Sequence, residues 1–188
     1  MIQILEKPAV RDMVMPMSVE QYHRLSASGV VQESTELLRG VVIEKMTRSP
    51  SHVIVVRRLF KWLSQRSWSG YHVRKEEPLT FADSEPEPDL AIVAGSDEDF
   101  EDSHPGSAEF IIEVAITSRE LDREKGAVYA EAGVPEFWIV VPDEQVIEVY
   151  TGPSDEGYQE VRRHSDPDAP LAIAAFPDVS ITPRELFA

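Results

Sequence analysis

Apolar positions recur at helical spacing in three segments of the chain. Ser18 and Gln21 form a capping box at the start of the first segment, and Ser51 is expected to cap the second. Gly133 is expected to end the third, since glycine often terminates helices. The predicted helices are Ser18–Ala27, about His52–Trp68, and Arg119–Ala132.

Short aliphatic and β-branched runs separate these helices and indicate strands. Thr35–Leu38 and Val41–Met46 flank Arg39-Gly40, a pair able to form a turn, so they predict a β-hairpin. Further strands are predicted at Tyr71–Glu76, Asp89–Val93, Glu109–Ala115, Phe137–Val141, Val146–Tyr150 and Tyr158–Arg163. This order predicts an α/β (α+β) fold with a mixed central β-sheet flanked by helices.

The chain length of 188 residues is typical of a single domain. We expect an N-terminal extension over 1–17, a core over about 18–150, and C-terminal strands with a short helix over 151–188. The absence of cysteine excludes a disulfide scaffold. The longest apolar runs are too short to span a membrane, and the charges within 1–17 interrupt any secretory apolar block. These features predict a cytoplasmic protein with no membrane partner.

The charges are distributed unevenly along the chain. The net charge is −16, which disfavours nucleic acid as a partner, but Arg39–Lys75 alone carries nine basic residues and one acid. Glu76–Phe110 carries twelve acids and neither Lys nor Arg. The second predicted helix presents Arg57, Arg58 and Lys61 away from its apolar side, where they could contact phosphates. The alternative is that both runs only form solvated faces.

Two carboxylates lie in or beside apolar strands. Asp89 begins one predicted strand, and Glu113 interrupts another. A carboxylate buried there needs a partner, and a divalent cation such as Mg²⁺ is one, because hard cations prefer oxygen ligands. The alternative for Glu113 is a solvent-facing position or an ion pair with a basic side chain.

Lys125 and Glu36 are the other candidates for chemistry. Lys125 lies near one helix face with Asp122 and Tyr129, from which it could join the two carboxylates and orient a water molecule. An exposed ion pair between Lys125 and Asp122 is the alternative. Glu36, in the predicted hairpin, could pair with a basic neighbour across that hairpin.

Taken together, these motifs carry a resemblance. Their order in the chain resembles the Uma family of proposed restriction endonucleases, within the PD-(D/E)XK nuclease superfamily. The likeness extends from about Ser18 to Tyr150 and, more weakly, over Pro183–Phe187. The motifs are Glu36-Leu37-Leu38-Arg39-Gly40, Glu87-Pro88-Asp89-Leu90, Ile112-Glu113-Val114, and the segment from Asp122 through Lys125, Tyr129 and Gly133 to Trp138.

The resemblance implies a restriction-endonuclease-like fold and a set of roles. Asp89 and Glu113 would be the metal-binding acids, Glu36 an accessory acid, and Lys125 the lysine that positions the attacking water. The superfamily usually places its lysine two residues after the second acid, where this chain has Ala115. The family is also known to supply the lysine from the following helix, where Lys125 lies.

These observations predict a metal-dependent endonuclease that hydrolyses phosphodiester bonds of nucleic acid, DNA in the first instance. Mg²⁺, for which Mn²⁺ could substitute, would be held by Asp89, Glu113 and a backbone carbonyl near Val114. A homodimer would suit the cutting of two strands. The alternatives are a non-catalytic homodimer of the same fold, with a structural or regulatory role, and a carboxylate-pair glycosidase.

Overall fold

A computed structural model describes residues 7–11, 13–32 and 34–188. Within the predicted N-terminal extension, residues 1–6 and 12 therefore lie outside the described residues. The helices of the described chain are α1 (Pro8–Arg11), α2 (Val19–Ala27), α3 (Pro50–Ser64), α4 (Arg119–Glu131) and α5 (Pro183–Phe187). None of them is long and apolar enough to cross a membrane.

Six strands form a mixed central sheet, as the sequence predicts. β3 and β4 pair antiparallel, as do β4 and β5, while β5 and β6 run parallel because α4 crosses over between them. β7 and β8 complete the sheet as antiparallel neighbours. The strands are β3 (Tyr71–Lys75), β4 (Leu90–Ala94), β5 (Phe110–Val114), β6 (Glu136–Val141), β7 (Val146–Ser154) and β8 (Gly157–His164).

Each face of this sheet is covered by a different helix. On one face, Leu59 and Leu63 of α3 pack over Phe110 and Trp138. On the other face, Tyr129 of α4 packs over the alternate side chains of the same strands. Because apolar side chains fill both faces, the central strands are buried along most of their length, and charged residues there occupy exceptional positions.

A small hairpin places Glu36, one of the candidate site residues, beside the segment that leads into β4. It consists of β1 (Thr35–Leu38) and β2 (Val41–Glu44), paired antiparallel as predicted. Leu37 exchanges two backbone hydrogen bonds with Glu85, at 3.3 and 2.7 Å, in the segment that leads into β4. This contact fixes the neighbouring Glu36 beside the sheet.

Two details differ from the sequence prediction. The cap of α3 is Ser49, whose side chain accepts from the backbone N–H of His52, so the predicted Ser51 cap is wrong. Pro50 favours this start because it lacks the N–H that a first helical residue leaves unpaired. The helix also ends at Ser64, short of the predicted Trp68, and Trp62 is only half-buried.

A second small hairpin was not predicted. It joins β9 (Leu171–Ile173) to β10 (Phe176–Ile181) and lies on the α3 side of the sheet. Its strands are short or irregular, so the alternation that indicates a strand is weak there.

Candidate active site

Asp89 and Glu113 lie opposite each other across neighbouring strands. The antiparallel register pairs Leu90 with Ile112, and its next step brings Asp89 to Glu113. Asp89 Oδ2 accepts from the backbone N–H of Val114 at 2.7 Å, while Glu113 Oε2 accepts from the backbone N–H of Asp89 at 3.3 Å. Directly opposite residues of an antiparallel pair share a face, so both carboxylates line one cleft.

Lys125 reaches the same point from α4. Its Nζ lies 3.0 Å from Glu113 Oε1 and 2.9 Å from Glu36 Oε2. The Tyr129 hydroxyl, one helical turn further, donates to Glu113 Oε1 at 2.7 Å. The structure therefore brings together the four residues predicted as catalytic, which are Glu36, Asp89, Glu113 and Lys125.

These contacts decide between the alternatives left by the sequence. Lys125 is buried and contacts Glu113 and Glu36, so an exposed pair with Asp122 is not its arrangement. Asp122 instead accepts from the Ser118 hydroxyl at 2.6 Å. Glu36 finds its cation on α4 and not across the hairpin. Glu113 does not face solvent, but it does form an ion pair with a basic side chain, Lys125, as the alternative for Glu113 allowed.

Negative charge exceeds positive charge in this buried cluster. Glu36, Asp89, Glu113 and Asp122 are each no more than 7% exposed, yet one buried lysine accompanies the four acids. Burial, followed by the charges of Asp89 and Asp122, raises the pKa of Glu113 to about 8 despite the opposing effect of Lys125. Burial likewise raises the pKa of Asp122 to about 6.

The pKa of the lysine is raised as well, but by neighbouring charges and not by burial. Burial acts to lower the pKa of Lys125, but the charges of Glu113 and Glu36 outweigh it and hold this pKa above its ordinary value. Lys125 is therefore an ammonium ion throughout the neutral range, and it cannot serve as a general base there.

His52 adds a contact from the first turn of α3. Its Nε2 lies 3.1 Å from Asp89 Oδ2, and its Nδ1 is buried with no hydrogen-bond partner among the described residues. The backbone N–H of His52 is used by the Ser49 cap. The imidazole thus holds Asp89 from α3, within the cleft that Lys125 of α4 also lines.

The residues predicted to bind nucleic acid lie elsewhere. Arg57, Arg58 and Lys61 are exposed along α3, and none of them lines the cleft. Arg58 Nη1 donates to the backbone carbonyl of Leu186 at 3.0 Å, which commits part of that side chain to α5. The cations that do line the mouth of the cleft are Lys45 and Arg48, in the loop between β2 and α3.

Partial signals are present in the sequence for the site residues that were not selected as candidates. Asp122 and Tyr129 share a helix face with Lys125, which their spacing of three and four residues indicates. Lys45 and Arg48 belong to the basic run, but nothing in a linear sequence shows that their loop folds over the acids. Pairing of His52 with Asp89 likewise depends on the tertiary contact between α3 and β4.

The cluster contains few side chains that could coordinate a metal ion through oxygen. Among the described residues, no three histidine or carboxylate side chains are grouped so as to hold a metal ion by themselves. A cation at Asp89 and Glu113 would therefore complete its shell with water, backbone carbonyls or substrate oxygens, which is how Mg²⁺ is commonly held.

The fold and the sequence each match proteins that are described as nucleases. A crystal structure from Anabaena variabilis, described as a "putative nuclease belonging to DUF820", superposes with a TM-score of 0.75 at 20% sequence identity. The match covers 92% of this chain and 98% of that chain, and at this identity it shows a shared fold. No curated protein matches the chain. The Uma2 family model, described as "Putative restriction endonuclease", matches residues 19–184, and the chain belongs to this family.

Proposed function

We propose that the protein is a metal-dependent endonuclease that hydrolyses phosphodiester bonds of DNA. The observation that carries this proposal is the buried cluster in which four carboxylates surround one lysine at the end of an open cleft. An excess of buried negative charge is costly unless a cation offsets it. The family to which the chain belongs supports the nuclease reaction.

The residues fit a Mg²⁺ ion, for which Mn²⁺ can substitute. Asp89 and Glu113 would hold it, because their carboxylates line the same cleft and present the oxygen donors that a hard cation prefers. The raised pKa of Glu113 shows how unfavourable its charge is without a further cation nearby. When bound, the ion supplies Lewis-acid stabilisation of the phosphate and lowers the pKa of water.

The side chains of the chain itself position the reactants. Lys125 remains charged, so its ammonium group can donate to a water molecule or offset the charge that develops on the phosphate. Glu36 holds that ammonium group, since its Oε2 accepts from Lys125 and from the backbone N–H of Glu87 at 3.0 Å. Tyr129 and the Val114 N–H fix the orientations of Glu113 and Asp89.

The wider surface serves the approach of DNA. Arg57, Arg58 and Lys61 remain our candidates for attracting the phosphate backbone to a protein whose net charge is −16. We place the protein in the cytoplasm and propose a homodimer, because two copies of one site can cut both strands. Analytical ultracentrifugation tests the dimer directly: sedimentation as a single species near 21.1 kDa would exclude it.

Cleavage assays test the activity. Supercoiled plasmid and labelled single strands are incubated with the parent protein in Mg²⁺, in Mn²⁺ or in EDTA. We expect cleavage that requires the metal and is lost in Asp89→Ala. Absence of cleavage under every condition, or cleavage that persists in Asp89→Ala, would overturn the proposal and favour the non-catalytic homodimer.

A further inference from the structure

The mouth of the acidic cleft carries two cations, each paired with one glutamate. Lys45 Nζ contacts Glu87 Oε1 at 2.7 Å, and Arg48 Nη1 contacts Glu76 Oε2 at 3.2 Å. The Lys45 and Arg48 side chains are 22% and 45% exposed, respectively. The Arg48 pair is accessible and contributes little to stability, so another anion can replace Glu76 at small cost. The Lys45 pair is half-buried, and a phosphate that replaces Glu87 would keep an anion beside the ammonium group.

A second cavity adjoins the cleft beneath these cations. It has a volume of about 120 Å³ and lies between residues 46–49 of the loop before α3 and residues 116–118 of the loop before α4. Arg48, His52 and Ser118 line both cavities, so the two are adjacent, and together they are called the groove. Thr47, Ser49 and Thr117 also line it, and these residues carry hydroxyl groups suited to phosphate oxygens.

The acids at the groove repel a phosphodiester, so the binding of DNA there requires cations beside the groove. A phosphodiester that approaches Asp89 and Glu113 meets four buried acids, and Lys125 is already held by two of them. Apart from Lys125, Lys45 and Arg48 are the Lys and Arg residues that line the groove in the described part of the chain. The cations of α3 do not line it.

We infer that Lys45 and Arg48 bind the DNA phosphates next to the cleaved bond, and that the strand follows the groove between residues 46–49 and 116–118. In the bound state the two cations leave Glu87 and Glu76 and contact phosphate. Arg48 can do so through two parallel hydrogen bonds, which strengthens the contact. This inference rests on the proposed nuclease function and adds the path of the substrate.

Binding measurements test the inference without relying on turnover. The fluorescence anisotropy of a labelled DNA duplex is followed in EDTA and in Mg²⁺ over a range of salt concentrations. We expect Lys45→Ala/Arg48→Ala to weaken binding about tenfold or more. The slope of log K against log salt should become shallower by about two, because two phosphate contacts are lost.

If Lys45 and Arg48 exchange their glutamate partners for phosphates, removal of those glutamates should strengthen DNA binding. Glu76→Gln/Glu87→Gln removes the competing acids, so it should tighten DNA binding by freeing both cations. The charge-keeping variant Lys45→Arg should retain most of the affinity of the parent. Circular dichroism of each variant confirms that it is folded.

The opposite edge of the sheet offers matched controls. Arg162 and Arg163 of β8 pair with Glu160 and Glu144, respectively, at 2.7 Å in both cases. Arg162→Ala/Arg163→Ala and, with the exposed Glu156 of the β7–β8 turn, Glu156→Gln/Glu160→Gln make the same charge changes far from the groove along the sheet. We expect both controls to alter affinity by less than about threefold.

The outcomes separate this inference from the function on which it rests. If the parent protein neither binds nor cleaves DNA, both fail. If the parent cleaves DNA but Lys45→Ala/Arg48→Ala keeps its affinity and salt slope, only the inference fails. Equal weakening in Arg162→Ala/Arg163→Ala would also overturn it, since that result would show a response to overall charge.

Discussion

Two buried glutamates on adjacent parallel strands have very different surroundings. Glu136, the first residue of β6, is 3% exposed and accepts from Trp138 Nε1 and the Ala174 N–H, each at 2.6 Å. Glu113, near the end of β5, is 4% exposed but contacts Lys125 and Tyr129 within a group of acids. Burial raises the pKa of both carboxyls.

The difference supports the proposal that Glu113, and not Glu136, takes part in a reaction. Glu136 is satisfied by neutral donors and ties the hairpin of β9 and β10 to the sheet, so its role is structural. Glu113 shares its one cation with Glu36 and lies against further carboxylates, and its cleft is open to solvent. Burial alone therefore does not identify a functional acid; an unbalanced charge at an accessible cleft does.

The largest expected effect separates the two glutamates by activity. Glu113→Gln removes a proposed ligand of the ion, so we expect the rate of metal-dependent DNA cleavage to fall by about 100-fold or more. Glu136→Gln should cleave within about twofold of the parent rate. A cleavage assay in Mg²⁺ checks both, and equal losses in the two variants would erase the distinction.

Removing the lysine should destabilise the cluster. Lys125→Met keeps much of the side-chain volume but leaves the four acids with no cation, which should cost about 3–5 kcal/mol of unfolding free energy at neutral pH. Arg162→Met is the control, because its pair with Glu160 is exposed and should contribute less than about 1 kcal/mol. Urea titration measures both; a cost below about 1 kcal/mol for Lys125→Met would contradict the account.

The acidity of Glu113 gives a pH test on the metal-free protein. Its pKa is about 8 in the fold and about 4.3 in an unfolded chain. A raised carboxyl pKa contributes stability below about pH 4.3 that is lost as the pH rises through about 8. Glu113→Gln carries an amide in place of the carboxyl group, so it loses no proton over this pH range.

The melting temperature of Glu113→Gln should therefore rise relative to that of the parent between pH 4.5 and pH 8.5. Each kcal/mol corresponds to about 2–4 °C in a chain of this size. Differential scanning calorimetry in EDTA provides the measurement. A gap that is constant over this range would show that the Glu113 carboxyl titrates normally.

The smallest effect concerns the structural glutamate. Glutamine at position 136 offers one acceptor oxygen in place of two, so either the Trp138 or the Ala174 hydrogen bond is lost. We expect Glu136→Gln to lower the unfolding free energy by about 1–3 kcal/mol. Unchanged stability would indicate that Glu136 does not hold the hairpin.

Much of the fold could be predicted because local patterns agree with it. α2 has its complete capping box, and Gly133 ends α4 with a positive φ of 78°. The start of α3 was misplaced because both Ser49 and Ser51 can cap a helix, and Pro50 was the deciding residue. The hairpin of β9 and β10 has no comparable local signal, since it depends on packing against the sheet.

Site residues could be predicted from the sequence where a charged side chain lies among apolar neighbours. Asp89 and Glu113 stand out because each is a charge in an apolar strand. His52 carries no such conflict at the start of a polar turn, and its contact with Asp89 arises only from folding. Glu136 is as buried as Glu113 and, like Asp89, stands at the start of an apolar strand, so position in the sequence alone does not separate a structural acid from the proposed site acids.

Calorimetric titration of Mg²⁺ tests most directly whether the excess of buried acids serves a cation. The parent protein, Asp89→Asn and Glu136→Gln are titrated in the absence of DNA. We predict one binding event in the parent, affinity reduced by about tenfold or more in Asp89→Asn, and parent-like binding in Glu136→Gln. No binding to the parent, or equal binding to the parent and Asp89→Asn, would contradict the account.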